Sequence, residues 1–506
     1  CKTTGYKATG YKATGYKATG YKESVKLFEF YTPSLQTTGS RYNDAVWIRQ
    51  LQEPYMKRLL VMPIKHDSTT SHSRNGDCLM RHGSAFSAVL LALSGALVLA
   101  AQERPYLTTQ SPLTLVSTND GEVNQTYLLT DDQKTDWELK TKDSFTVIHL
   151  GPDHPPITRT IYDTVPCTIA GTPTMAMSSD GRYALIANHN WRNTILKQLV
   201  LPPGPRSNAD LTPEMLQQPK MAAQLVNMLS LIDLSTSEYR VVDRVLFDDR
   251  PIHVQAHPDG ANFITGADKH FYVHRIENGK LIEVSRNPQP HGLVCFWIHP
   301  QGHRLLATQG DPLTGLPATV QWYGIQGGRI EHLTEVAVAH GVRTKLLDSS
   351  FILRINPAGT RALICQRSMP GGRDHSDILV ADLTQNPPVI NAVVKQVSDG
   401  SESFAFHPNG KMAVATGLGT DHNCIVVLDM VSNPPRVLYT LDAKGIGQGI
   451  EFTPEGDKLF VGSAIAGRIE VFDVIGDYQL RKNPWFLNIG FGHNSLTIGP
   501  RYSPAK

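Results

Sequence analysis

Between residues 174 and 463 the chain repeats one arrangement of apolar and polar positions: a short alternating apolar run, a polar turn closed by glycine, and a second apolar run. Six copies occur, at 175–186, 254–264, 296–306, 353–363, 404–414 and 450–460, with turn glycines Gly181, Gly260, Gly302, Gly359, Gly410 and Gly456. Five of the six turns carry proline two residues before the glycine. Proline presets φ, the residue after it tolerates the bend, and glycine takes the positive φ that closes a hairpin. Each copy therefore predicts a β-hairpin.

A further strand of the form apolar-x-apolar follows each hairpin, at 230–234, 271–276, 320–325, 378–383, 425–430 and 469–474, and a seventh, 145–150, precedes the first. Strand-only repeats spaced about 40–50 residues apart are the mark of propeller blades. The prediction is an all-β fold: a seven-bladed β-propeller of four-stranded antiparallel blades over residues 106–502. The seventh blade is split between the chain ends. Residues 126–130 and 145–150 are expected to supply its outer strands, and 493–498 the first strand that closes the ring and removes a free sheet edge. Residues 113–117 compete for that first-strand position.

The first hundred residues obey no such pattern. Residues 2–21 are polar, glycine-containing pentads ending in three copies of Lys-Ala-Thr-Gly-Tyr; so little apolar surface predicts disorder. Met80-Arg81-His82, the apolar run 85–99 and the small residues Ala100 and Ala101 read as a secretory signal, its apolar run too short for a comfortable membrane span. Such signals act at an N-terminus. Met80 is accordingly read as the start of the exported protein, with 80–101 its signal and 1–79 translated upstream sequence; an internal membrane anchor is the other reading.

Charge adds little: 48 basic against 46 acidic residues, a net +2 and no charge block give no electrostatic case for nucleic acid or an acidic membrane surface. The membrane enters only through the export signal, and a monomer is expected. Cys295, Cys365 and Cys424 fall within strands as small buried hydrophobes and Cys167 in a connection, so no disulfide framework is expected. The sequence holds no phosphate-cradling loop, zinc-spaced Cys/His cluster or serine-hydrolase elbow.

The hairpins and the strands after them, for example Ser230-Leu-Ile-Asp-Leu234 with Tyr239-Arg-Val-Val242, resemble the YVTN-type β-propeller repeats of bacterial exported proteins and the lactonase-like seven-bladed propellers. The resemblance spans about residues 113–502. It implies this fold, and through the lactonase-like relatives it implies ring-opening hydrolysis, for which no diagnostic motif is present.

In a propeller the first strand of each blade lines a central channel, and the connections leading into it open on one face with those joining strands two and three. The residues at these positions are Thr172, His253, His291, Lys345 with Asp348, Ser401 with Glu402, Gln448, and His493 with Asn494. They read either as a metal-binding or acid–base funnel, in which a divalent cation could sit, or as polar groups solvating a channel. The long connections add His189, Arg192, Asp311, Arg367, Arg373, His375, Asp421 and His422, whose arginines suit a carboxylate or phosphate; in the 197–228 insertion Thr212 and Pro213 could start a helix. His257, His299 and His407, beside the turn prolines, are read as turn residues.

Two functions follow. One is an exported platform binding a small molecule or protein through its loop-rich face, with His189, Arg192, Asp348, Arg367, Arg373, His375, Gln448 and Asn494 as contacts. The other is a lactonase-like hydrolase in which His253, His291, His493 or Glu402 activates water. An envelope scaffold would instead expose apolar patches.

Overall fold

A computed structural model describes residues 106–121, 142–162, 164–167, 173–188, 227–289, 292–309, 319–342, 350–366, 376–398, 401–417, 424–442, 447–463 and 466–503. These residues form seven antiparallel sheets of four strands each, one of which gains a short fifth strand, and no helix. No described segment is a helix long and apolar enough to cross a membrane. The inner strands are, from blade 1 to blade 7, His493–Pro500, Met175–Met177, Pro251–Ala256, Leu293–Ile298, Ser350–Ile355, Ser401–Phe406 and Gly447–Phe452. Each packs beside the next, and blade 7 packs beside blade 1, so the ring is closed.

The hairpin turns form as the pattern predicts. In blade 3 the Gly260 N–H donates to His257 O (3.0 Å) and the His257 N–H to Asn262 O (2.8 Å), and the same two bonds recur in the other five turns. The six glycines hold φ between 70° and 79°, a region that other L-residues enter at a cost.

Blade 1 is assembled from both ends of the fold. Leu113–Asn119 pairs on one side with Ser144–Leu150 and on the other with His493–Pro500, Leu115 lying opposite Ile498. Leu113–Asn119 is thus the second strand and the C-terminal segment the first. The outer strands are Ser144–Leu150 and Ile157–Tyr162; residues 126–130, expected to be one of them, lie outside the described residues.

The core is not central. Seven apolar clusters lie one at each seam between neighbouring blades: Phe271, Phe296 and Tyr323 between blades 3 and 4, for instance, and Leu115, Ile148 and Phe460 between blades 7 and 1. Each fully buried large side chain contributes about 1.5–3 kcal/mol, so stability is spread around the ring. In blade 5 the outer edge is covered as well, because Ala337–Val338 pairs in parallel with the outer strand Val389–Ser398. Cys167, Cys295 and Cys365 are buried, and burial pushes the Cys295 thiol up to about 12.

Candidate functional site

The two ends of the channel are built differently. Five residues before each turn glycine the inner strands present Ala176, Gln255, Trp297, Arg354, Ala405 and Glu451. Arg354 of blade 5 reaches past Ala405 of blade 6 to Glu451 of blade 7: Nη1 donates to Oε1 (3.0 Å) and to Phe404 O (2.7 Å), and Nη2 donates to Oε2 (2.6 Å). The guanidinium also lies 4.6 Å from the centroid of Trp297, and both charged side chains keep 17% exposure. Burial raises the Glu451 carboxyl above its usual value, and Arg354 opposes the rise. Gln255 joins blade 3 to blade 4, donating to Phe296 O (2.7 Å) and accepting from the Ile298 N–H (3.0 Å). With its main donors engaged this way, Arg354 knits the channel together toward the turn face.

At the opposite end, sequence-predicted residues prove to be strand residues. His253 is the third residue of its inner strand and fully buried opposite Gly266. His493 begins the closing strand, also fully buried, with Nδ1 2.8 Å from Ser117 Oγ; a Cβ on Gly462 would run into its ring. Asn119 extends this network. Its amide is best satisfied with the NH2 toward Ser117 Oγ (2.8 Å) and the oxygen accepting from Ser144 Oγ (3.2 Å), which leaves the Ser117 hydroxyl to donate to His493. Asn494 accepts from Thr174 Oγ1 (3.1 Å), binding blade 1 to blade 2. His493 and Asn494 therefore serve ring closure, and the histidines do not occupy equivalent places: His253 lies within a strand and His493 at the start of one.

Ser401, Glu402 and Gln448 also lie in inner strands, Ser401 fully buried; the Glu402 and Gln448 side chains lie outside the described residues. So do His189, Arg192, His291, Lys345, Asp348, Arg367, Arg373, His375, Thr172, Asp311, Asp421, His422 and the helix expected at Thr212. Among the described residues no three His, Cys, Asp or Glu side chains converge as metal ligands.

The loop-rich face carries one chemical group that the sequence reading passed over. Asp249, in the connection into blade 3, is buried. Its Oδ1 accepts from the Tyr272 hydroxyl (2.5 Å), and its Oδ2 accepts from the Lys269 N–H (2.9 Å) and from His270 Nδ1 (3.1 Å). His270 stays 29% exposed. Burial, then the bond to Asp249, raises the Tyr272 phenol above its usual range, and Arg286 lies over its ring at 4.9 Å. Alongside, Arg250 grips Asp268 with Nε (3.0 Å) and Nη2 (2.8 Å). The carboxylate thus fixes one ring nitrogen of a histidine whose side chain is only part-buried.

Seven sheets about a channel, inner strands touching in sequence, define a seven-bladed β-propeller. No family profile and no curated protein sequence matches the chain. Solved structures share its fold. The periplasmic gluconolactonase of Pseudomonas aeruginosa is 13% identical, with TM-score 0.52, covering 77% of this chain and 99% of its own. A Bacteroides fragilis protein described as a candidate 6-phosphogluconolactonase is 13% identical with TM-score 0.50, covering 78% and 99%. A Lactobacillus plantarum protein is 10% identical with TM-score 0.50, covering 76% and 99%. At this identity the likeness concerns the fold.

Proposed function

We propose that this chain is an exported propeller that binds a ligand through its loop-rich face. One observation carries the reading: the asymmetry of the two faces. The turn face consists of short hairpins tied blade to blade. At the other lie the strand ends that begin and finish every connection into an inner strand and every link between strands two and three, Asn188 and Met228 among them. Long connections on a rigid ring are where binding resides. Export accords with the signal-like segment 80–101 and with a periplasmic protein among those of the same fold.

A thermal-shift screen of sugar acids, lactones and nucleotides tests it, since a ligand at 100 times its Kd adds about 2.7 kcal/mol. A hit should lose its shift in His270→Ala and keep it in Glu455→Gln on the turn face. A hit that depends on Glu455 and not on His270 would count against the reading.

The hydrolase reading is favoured by the Asp249–His270 pair. His270 is the exposed base in this arrangement, where His253 and His493 are enclosed. If the protein opens glucono-δ-lactone, His270→Ala should lower the rate about 10²-fold or more; a wild-type protein with no activity removes this reading and leaves binding.

A further inference from the structure

Three seams on the turn face share one device. His257, His299 and His407 each place Nε2 against the carbonyl of the next blade's turn glycine: Gly302 O at 2.7 Å, Gly359 O at 2.8 Å and Gly456 O at 2.9 Å. Each Nδ1 meanwhile accepts a backbone N–H two residues on, from Asp259 (3.3 Å), Gln301 (3.2 Å) and Asn409 (3.2 Å). A ring that accepts at Nδ1 and donates at Nε2 is neutral, because an imidazolium has two donors and no acceptor. The seam between blades 2 and 3 makes the same contact with a hydroxyl, Ser179 Oγ donating to Gly260 O (3.2 Å).

We propose that these bonds form an acid-releasable clasp: protonation of His299 and His407 turns Nδ1 against the Gln301 and Asn409 N–H groups and loosens the seams between blades 4 and 5 and between blades 6 and 7, while the Ser179 seam stays shut. The surroundings set which histidines respond. His299 faces the neutral Gly359 carbonyl across the seam, with His303 (ring centroid 5.6 Å away) and Arg304 on its own blade. Burial, reinforced by both, lowers its pKa, and the bond to Gly359 opposes this. A lowered folded-state value means that unfolding or opening takes up a proton, so the contribution of His299 is full above the ordinary imidazole range and fades as pH falls through it. His407 packs on Phe452 and faces the blade 7 turn, whose Glu455 is exposed and whose Asp457 is engaged by Thr453 (2.7 Å); on its own side Lys411 pairs with Asp477 (2.7 Å). His257 differs. Asp259 Oδ2 stands 3.0 Å from its Nδ1 and can accept from the protonated ring, so the seam between blades 3 and 4 survives acid beside Arg275 and His303.

The readout must be local, because burial also holds His149 and His274 down to about 4, so opening around either of them likewise takes up a proton as pH falls below the ordinary imidazole value. Hydrogen exchange of the full chain at about pH 7.5 and about pH 5, corrected for intrinsic rates, brackets the ordinary imidazole value. Amides of turns 299–304, 356–361, 407–412 and 453–458 should exchange about tenfold faster in acid, while those of 178–183 and 257–262 do not change. His299→Gln and His407→Gln keep a donor that does not titrate and should abolish the difference at their own seams. Equal acceleration in all six turns, no acceleration, or a difference that persists in the glutamine variants would overturn the proposal. Should a variant fail to fold, the contrast among the wild-type turns decides.

Discussion

At the scale of single residues the charged pair in the channel is the sharpest test of the packing. Arg354 and Glu451 lie 97 residues apart, on blades separated by a third. Removing one partner strands the other charge in a low-dielectric channel, so Arg354→Met or Glu451→Met should cost about 3–5 kcal/mol in urea unfolding, and the double replacement less than either. A double-variant cost equal to the sum of the two single costs would show the pair uncoupled. Nothing in the sequence announces this contact, since no local spacing links two strands separated by a whole blade. Asp249 and His270 were missed for a different reason. Asp249 sits in a short connection and His270 opens a strand, and in the sequence only the long connections stand out. His253 and His493 read as rim residues because the apolar pattern begins after them; backbone pairing carries the inner strands further back, into buried ground.

The hairpin is the element most legible in the sequence, because its determinants are all within a few residues. Proline, a bend-tolerant residue and glycine specify the turn, and alternation specifies the strands on either side, so six turns and seven third strands are readable without knowing the fold. Gly456 shows how much rests on the last of these. Its φ is +77°, and a Cβ there would meet the His407 ring. Gly456→Ala should cost about 1–2 kcal/mol from the backbone alone, with the collision adding to it. A thermal midpoint equal to wild type would contradict this account of the turn. The inter-blade use of His257, His299 and His407 was not readable in the same way: the motif identifies them as turn residues, but their second bond reaches a neighbouring blade.

For the whole molecule, closure decides the architecture, and the asymmetry of the two faces supports the proposed function. The C-terminal strand completes blade 1 through Leu113–Asn119, and Ser117, Asn119, Ser144 and His493 fasten it. Closure was foreseeable from a first-strand pattern that stops at the end of the chain, although the register of Leu113–Asn119 needed the pairing itself. The ring then carries short hairpin turns at one face and, at the other, the strand ends that begin and finish the connections between blades. The most direct test is hydrogen exchange with and without the best-binding compound of the sugar-acid and lactone screen, mapped over the full chain. Protection should gather at the ends of the strands on the loop-rich face, at 247–250, 268–270 and 401–403, with the six hairpin turns unaffected. Protection confined to the turns at Gly260, Gly302 or Gly359 would place binding on the opposite face and contradict the account.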